Sequence, residues 1–280
     1  MSPSHGHAVG FGPRLVASAT ARLKAALLIR PSRAIESAAP LIGEPGAIYA
    51  RALEQHDVLR KTLEYFGVET TVVESHGADP FESNAADTAV LFEDGAALMR
   101  LTPLARRAEV DRMEAEFSRL DVPLAGHVSA PGLLDGNDVL LAGRTAFVGT
   151  GDRGNALGRS GFARLAQAHG YRTVEVPLAA GVPALRAVAS AVAHDTIVLG
   201  ADKADAAAFA GFRTIALERG EEQGAGVLVL DERHVIADLR YRTALSIMRR
   251  AGITVEALDL YEFTKLGITP SMLVLALRRE

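Results

Sequence analysis

Residues 134–149, LDGNDVLLAGRTAFVG, constrain this chain most, because the same design recurs along it. Residues 139–141 and 146–148 are short runs of strand formers broken by Gly143 and Arg144, the pattern of a β-hairpin. Asp135 and Asp138 stand at its entrance. A second copy starts at Asp87, ahead of TAVLFEDGAALMR, and a third at Gly226, ahead of VLVLDERHVIADL. In each, the hairpin leads through a polar segment into a helix and then another strand. Repeated units of this size bury their apolar faces against one another, so the repeat decides the architecture before any single motif does.

Five such modules cover the chain. In the first, residues 25–29 form a strand, residues 49–66 a helix with Leu53, Leu59, Leu63 and Phe66 at near-helical spacing, and residues 68–73 a second strand after Gly67. The second has its hairpin over residues 89–100 and a charged helix over 105–120, with Val110, Met113 and Phe117 inward. Its charges read as a solvated face. The third follows the opening hairpin with the loop GTGDRGNALGRS, a helix to His169 and a strand over 173–176. That loop lacks the spacing of a P-loop or dinucleotide fingerprint and reads as a turn and helix cap. The fourth runs from small apolar residues 184–193, across a polar turn at His194 and Asp195, to a strand over 196–199, a short helix over 204–210 and a strand over 213–217. The fifth has a hairpin over 227–239, a helix over 241–250 and a strand over 254–258. The last apolar run, 272–277, then pairs with the first strand and closes a ring without an exposed edge.

The expectation is one α/β domain over residues 21–280 behind a flexible leader over 1–20, in which His5 and His7 read as tail residues rather than metal ligands. A net charge of −4 gives no basic field for phosphate backbones, so nucleic acid is not an expected partner. With no cysteine, disulfides, thiolate metal sites and thiol catalysis are excluded together. Lys24 interrupts the best early apolar run, which leaves neither a membrane span nor a signal peptide, and a cytoplasmic location is the default.

The strings ALEQHDVLRKTLEYFGVETTVVE, ADTAVLF, LDGNDVLLAGRTAFVG and YEFTKLGITPSM resemble dimethylarginine dimethylaminohydrolase and its relatives among the amidinotransferases and arginine deiminases. The resemblance runs from about Ala25 to the C-terminus. It implies the pentein fold, a five-bladed α/β propeller of ββαβ modules with pseudo-fivefold symmetry around a polar channel. In the family a cysteine attacks the guanidinium carbon, a histidine moves protons and carboxylates grip the cation, without a cofactor or metal. A thiolate is nucleophilic near neutral pH and histidine titrates there, which is why the chemistry needs both.

The resemblance places Ser271 at the cysteine position, allowing a one-residue shift, and Ala184 at the histidine position. His127, His194 and His234 are the candidates for a relocated base. Asp87 matches the acid that grips the guanidinium, after Ala86 where an acid is usual, and Asp135 matches the acid that supports the histidine, with Asn137 where a glycine is usual. Arg100 and Arg144 match arginines that hold the amino acid end of the substrate, and Asp138 stands with Asp135 at the hairpin entrance as a further ligand contact. Three readings follow: a protein without the hydrolase activity that binds a small amino acid-like or carboxylate ligand, or a protein partner; an enzyme of altered chemistry using Ser271 or Asp87 and Asp135; and a weak hydrolase of a methylarginine-type substrate. Exposed strands of such a fold also admit a homodimer.

Overall fold

The computed structural model describes residues 15–77 and 79–280, so His5 and His7 lie outside the described residues. The first module holds β1 (Leu23–Ile29), α1 (Tyr49–Tyr65) and β2 (Glu69–Val73). The second holds β3 (Ala89–Leu91), β4 (Ala96–Leu98), α2 (Ala108–Arg119) and β5 (Leu124–His127). The third holds β6 (Val139–Ala142), β7 (Thr145–Thr150), α3 (Ala156–Ala168) and β8 (Arg172–Pro177). The fourth holds α4 (Leu185–Val188), β9 (Ala189–Ala193), β10 (Thr196–Gly200) and β11 (Arg213–Leu217). The fifth holds β12 (Leu228–Asp231), β13 (His234–Asp238), α5 (Arg242–Arg250) and β14 (Thr254–Leu258), after which come α6 (Tyr261–Thr264), α7 (Pro270–Leu273) and β15 (Val274–Arg279).

Each module contributes a three-stranded sheet, and the five sheets repeat one pattern that suits a pseudo-fivefold propeller. The first strand pairs antiparallel with the second, as Val139 opposite Val148, and the second pairs parallel with the third, as Thr145 opposite Arg172. In the first module the missing inner strand is supplied by β15, which pairs antiparallel with β1, so the last apolar run does close the ring.

Helices cover the sheets because their apolar stripes have the right period. Met113 and Phe117 of α2, Phe162 and Ala166 of α3, and Ala244, Leu245 and Met248 of α5 are all buried. In the fourth module the expected helix over 204–210 is a single 3₁₀ turn, Ala206–Phe209, whose Phe209 ring packs 4.7 Å from Phe147. The small apolar run 184–193 likewise divides into α4 and β9. Leu15 and Val16, within the stretch assigned to the leader, are buried, and Leu15 N donates to Glu93 O at 2.7 Å. Among the described residues no helix is long and apolar enough to cross a membrane.

Candidate functional site

One-turn helices stand at the starts of the inner strands and bring the chemistry together. Residues 85–87 lead into β3, residues 136–138 into β6, α4 into β9 and α7 into β15. They are tied to one another: Asn137 Nδ2 donates to Asp87 Oδ1 at 2.7 Å, Leu185 N to Asp138 Oδ1 at 2.9 Å, and Ser271 N to Gly226 O at 3.2 Å. Close approach is possible because Gly136 has no side chain; a Cβ there would overlap the carbonyl oxygen of Ala86.

Asp87 and Asp135 are fully buried and Asp138 nearly so. Asp87 is neutralised from within the chain. Its Oδ2 accepts from Arg106 Nη1 at 2.6 Å, and Arg106 in turn pairs with Glu109 through Nε and Nη2, both at 2.8 Å. Burial alone would raise the Asp87 carboxyl, but the charges of Arg106 and Arg153 outweigh it and hold it below the usual carboxylate range. Arg153 Nη1 lies 3.5 Å from Asp87 Oδ2 and 3.5 Å from Asp135 Oδ2, between the two acids.

The other two acids are driven the opposite way. Asp135 Oδ1 accepts from Thr102 N at 2.7 Å, yet burial and the neighbouring Asp87 charge raise its pKa. Asp138 is pushed up to about 8 by burial, which the Leu185 amide offsets only in part. Asp135 Oδ2, Asn137 Oδ1, Asp138 Oδ2 and Arg153 Nη1 are all buried without a hydrogen bond. Buried polar atoms are nearly always hydrogen-bonded; Asp135 Oδ2 and Arg153 Nη1 meet only through charge at 3.5 Å and Asn137 Oδ1 and Asp138 Oδ2 have no hydrogen bond, so the cluster marks a place where polar groups are meant to be met. Among the described residues no group of three or more histidine, aspartate or glutamate side chains is arranged to hold a metal ion.

Ser271 sits beside this cluster without a base. Its Oγ donates to Arg186 O at 2.8 Å and lies 3.1 Å from Thr269 Oγ1. Ala184 is buried just ahead of α4 and offers no proton acceptor. The three candidate histidines are committed elsewhere or turned outward: His194 pairs with Glu232 at 2.7 Å, His234 with Glu256 at 2.9 Å, and His127 is exposed at the end of β5. A hydroxyl needs an adjacent base to act as a nucleophile, and none of these groups supplies one.

Two arginines expected at the site stand outside the aspartate cluster, and two others occupy it. Arg100 donates to Gly132 O at 3.3 Å and lines a groove beside α2 and β5. Arg144 is in the exposed turn between β6 and β7, 3.2 Å from Glu93 and 5.5 Å above the Tyr171 ring. Arg106 and Arg153 are the arginines that meet the aspartates. The first belongs to the helix whose charges read as a solvated face; RRAE, with an acid three residues on, fits a local Arg–Glu pair but does not mark the turn inward to Asp87. The second lies in the Gly-rich loop, which does form the expected cap: Asn155 Oδ1 accepts from Gly158 N at 2.8 Å and from Leu133 N at 3.0 Å. That cap fixes the loop carrying Arg153.

No family model matches the chain. The sequence is 30% identical over 245 residues to a dimethylarginine dimethylaminohydrolase of Streptomyces coelicolor, covering 87% of this chain and 93% of that one. Among solved structures, a cysteine-to-serine mutant of the Pseudomonas aeruginosa enzyme complexed with citrulline superimposes with a TM-score of 0.82 at 21% identity, over 91% of this chain and 99% of that one. SxtG, an amidinotransferase from Microseira wollei, matches with a TM-score of 0.79 at 14% identity, over 96% of this chain and 98% of its own. By fold, by repeat and by the extent of its sequence match, this chain belongs to the dimethylarginine dimethylaminohydrolase family within the pentein superfamily.

Proposed function

We propose that this protein binds a small amino acid-like ligand at the aspartate cluster without carrying out the hydrolysis of its relatives. The observation that carries the reading is the pairing of Asp87 with Arg106: the carboxylate used for a substrate's guanidinium already holds a guanidinium of the chain. Its second oxygen is taken by Asn137. What is left open is Asp135 Oδ2, Asp138 Oδ2 and Asn137 Oδ1 for N–H donors, with Arg153 Nη1 for a carboxylate or carbonyl. That set suits the ammonium, amide or ureido groups of an amino acid. Ser271 adds a second support, because its hydroxyl proton goes to a backbone carbonyl rather than a base. A cysteine-to-serine mutant of the Pseudomonas neighbour is found with citrulline, which is consistent with binding without turnover at a serine-bearing site.

The test is a thermal-shift series with citrulline, arginine, methylated arginines, ornithine and small carboxylic acids. A ligand bound only by the native state at 100 times its Kd adds about 2.7 kcal/mol. At roughly 2–4 °C per kcal/mol for a domain of this size, the rise in Tm is easily read. Arg153→Ala is expected to abolish the shift and Arg144→Ala to leave it unchanged. Release of amine or ureido product from any of these compounds, lost in Ser271→Ala, would overturn the reading in favour of an enzyme.

A further inference from the structure

The inner strands of all five sheets line a second feature, a half-open cavity of about 110 Å³ that Gly136 and Ser271 of the candidate site also border. Leu91, Leu140, Ala191, Val229 and Leu275 give one wall from each sheet, and Val16 and Ala19 also line it. Most of the lining side chains are apolar; Ser190 and Ser271 add hydroxyls, and Arg186 of α4 and Arg279 at the end of β15 add charge.

Neither arginine has a carboxylate in contact, although Asp87 acts on Arg186 and Asp231 on Arg279 through space. Among the described residues no carboxylate comes within 4.0 Å of either guanidinium. Arg186 Nη2 donates to Ser271 O at 2.5 Å, no acceptor among the described residues meets its Nε or Nη1, and the half-buried side chain lines the cavity. Arg279 is 6% exposed and donates to Ala21 O and Val229 O, both at 2.8 Å, which satisfies N–H groups without placing a carboxylate in contact; Asp231 acts on it only through space. Burial draws Arg186 down to about 10 against the Asp87 charge, and burial together with the Arg186 charge draws Arg279 down to about 9 against the Asp231 charge. Buried charges persist in folded proteins when paired, and two like charges lining one small cavity with no carboxylate in contact call for an anion between the strands.

Size selects the anion. The cavity is well above the roughly 10–15 Å³ that a water needs, and well below the roughly 300 Å³ at which pockets for drug-sized ligands begin. An amino acid belongs at the aspartate cluster; this compartment is for something smaller. We infer that this cavity is a binding site for a small monovalent anion, of the size of bromide, nitrate or formate, held by Arg186 and Arg279. This goes beyond the ligand site at the aspartates and does not rest on it.

The experiment holds ionic strength constant with sodium gluconate, whose anion is too large for the cavity, and replaces it stepwise by bromide, nitrate or formate while Tm is read. A saturable rise of several degrees is expected, together with an anomalous peak inside the cavity in crystals soaked in bromide. Arg186→Met is expected to abolish the rise. Should Arg186→Met fail to fold, Ser190→Val narrows the same cavity from β9 and is expected to abolish it too. A response that is linear and equal for all anions, one that survives either variant, or bromide density absent from the cavity would overturn the inference.

Discussion

Asp138 has one oxygen on the Leu185 amide and the other unpaired, and burial lifts its pKa from 3.8 to about 8. Between those values the folded protein holds a proton that the unfolded chain has given up, so this group's contribution to stability falls as pH rises from about 4 to about 8 and is level above. The slope for one proton is about 1.4 kcal/mol per pH unit at most. Asp138→Asn keeps an acceptor for Leu185 and removes the titration. Urea unfolding at pH 5 and pH 8 is expected to show the variant gaining stability over the parent at the higher pH, and an equal difference at both pH values would refute it. Arg106 is the opposite case. Its charge is matched by Asp87 and Glu109, so Arg106→Met strips Glu109 of its cation, leaves Asp87 only the more distant Arg153, and is expected to cost roughly 3–5 kcal/mol in the same assay.

At the scale of the element, α1 shows how a polar residue can dock a helix. Its buried face is Ala52, His56, Leu59 and Leu63, spaced by four, three and four. His56 is 4% exposed with an unpaired Nε2, and burial, aided by Arg30, lowers its pKa to about 4. Protonation therefore favours the unfolded chain: the stability contributed by the neutral ring is complete above about 6.5 and is lost as pH falls toward 4. His56→Leu is expected to flatten the decline in Tm between pH 6.5 and 4, and a variant as acid-sensitive as the parent would remove His56 from the account. In sequence α1 is read from Leu53, Leu59, Leu63 and Phe66, of which only Leu59 and Leu63 lie on the buried face, and the modules were legible for the same kind of reason: hairpins alternate, turns carry glycine, and helices recur at 3.6. The fourth module was harder because alanine and valine over 184–193 fit helix or strand equally, and only packing divides them. Asp87 and Asp135 were legible as polar residues at hairpin entrances, but it was the family resemblance that singled them out, and the structure brings both into one buried cluster. Arg106 and Arg153 were not, since nothing local marks which charged side chain of a helix or loop turns inward to meet an acid from another module.

For the whole molecule, the repeat leaves one sheet short of an inner strand, and the chain fills it with its last residues. Val274, Leu275 and Leu277 of β15 are almost wholly buried, and Glu280 exchanges backbone hydrogen bonds with Arg22 at 3.0 Å in both directions. Three such aliphatic side chains are worth about 1.5–3 kcal/mol each, comparable in total with the 5–15 kcal/mol by which a domain of any size is stable. β15 also forms one wall of the cavity lined by all five sheets and carries Arg279 into it, so ring closure and the interior charge depend on the same seven C-terminal residues. A chain ending at Leu273 is therefore expected to lose its cooperative urea transition and to expose the edge of β1 for intermolecular pairing, read as concentration-dependent aggregation. A truncated chain that still unfolds in one transition, with the parent's m-value, would mean that each module is stable with only its neighbours and that the fold does not need to be a closed ring.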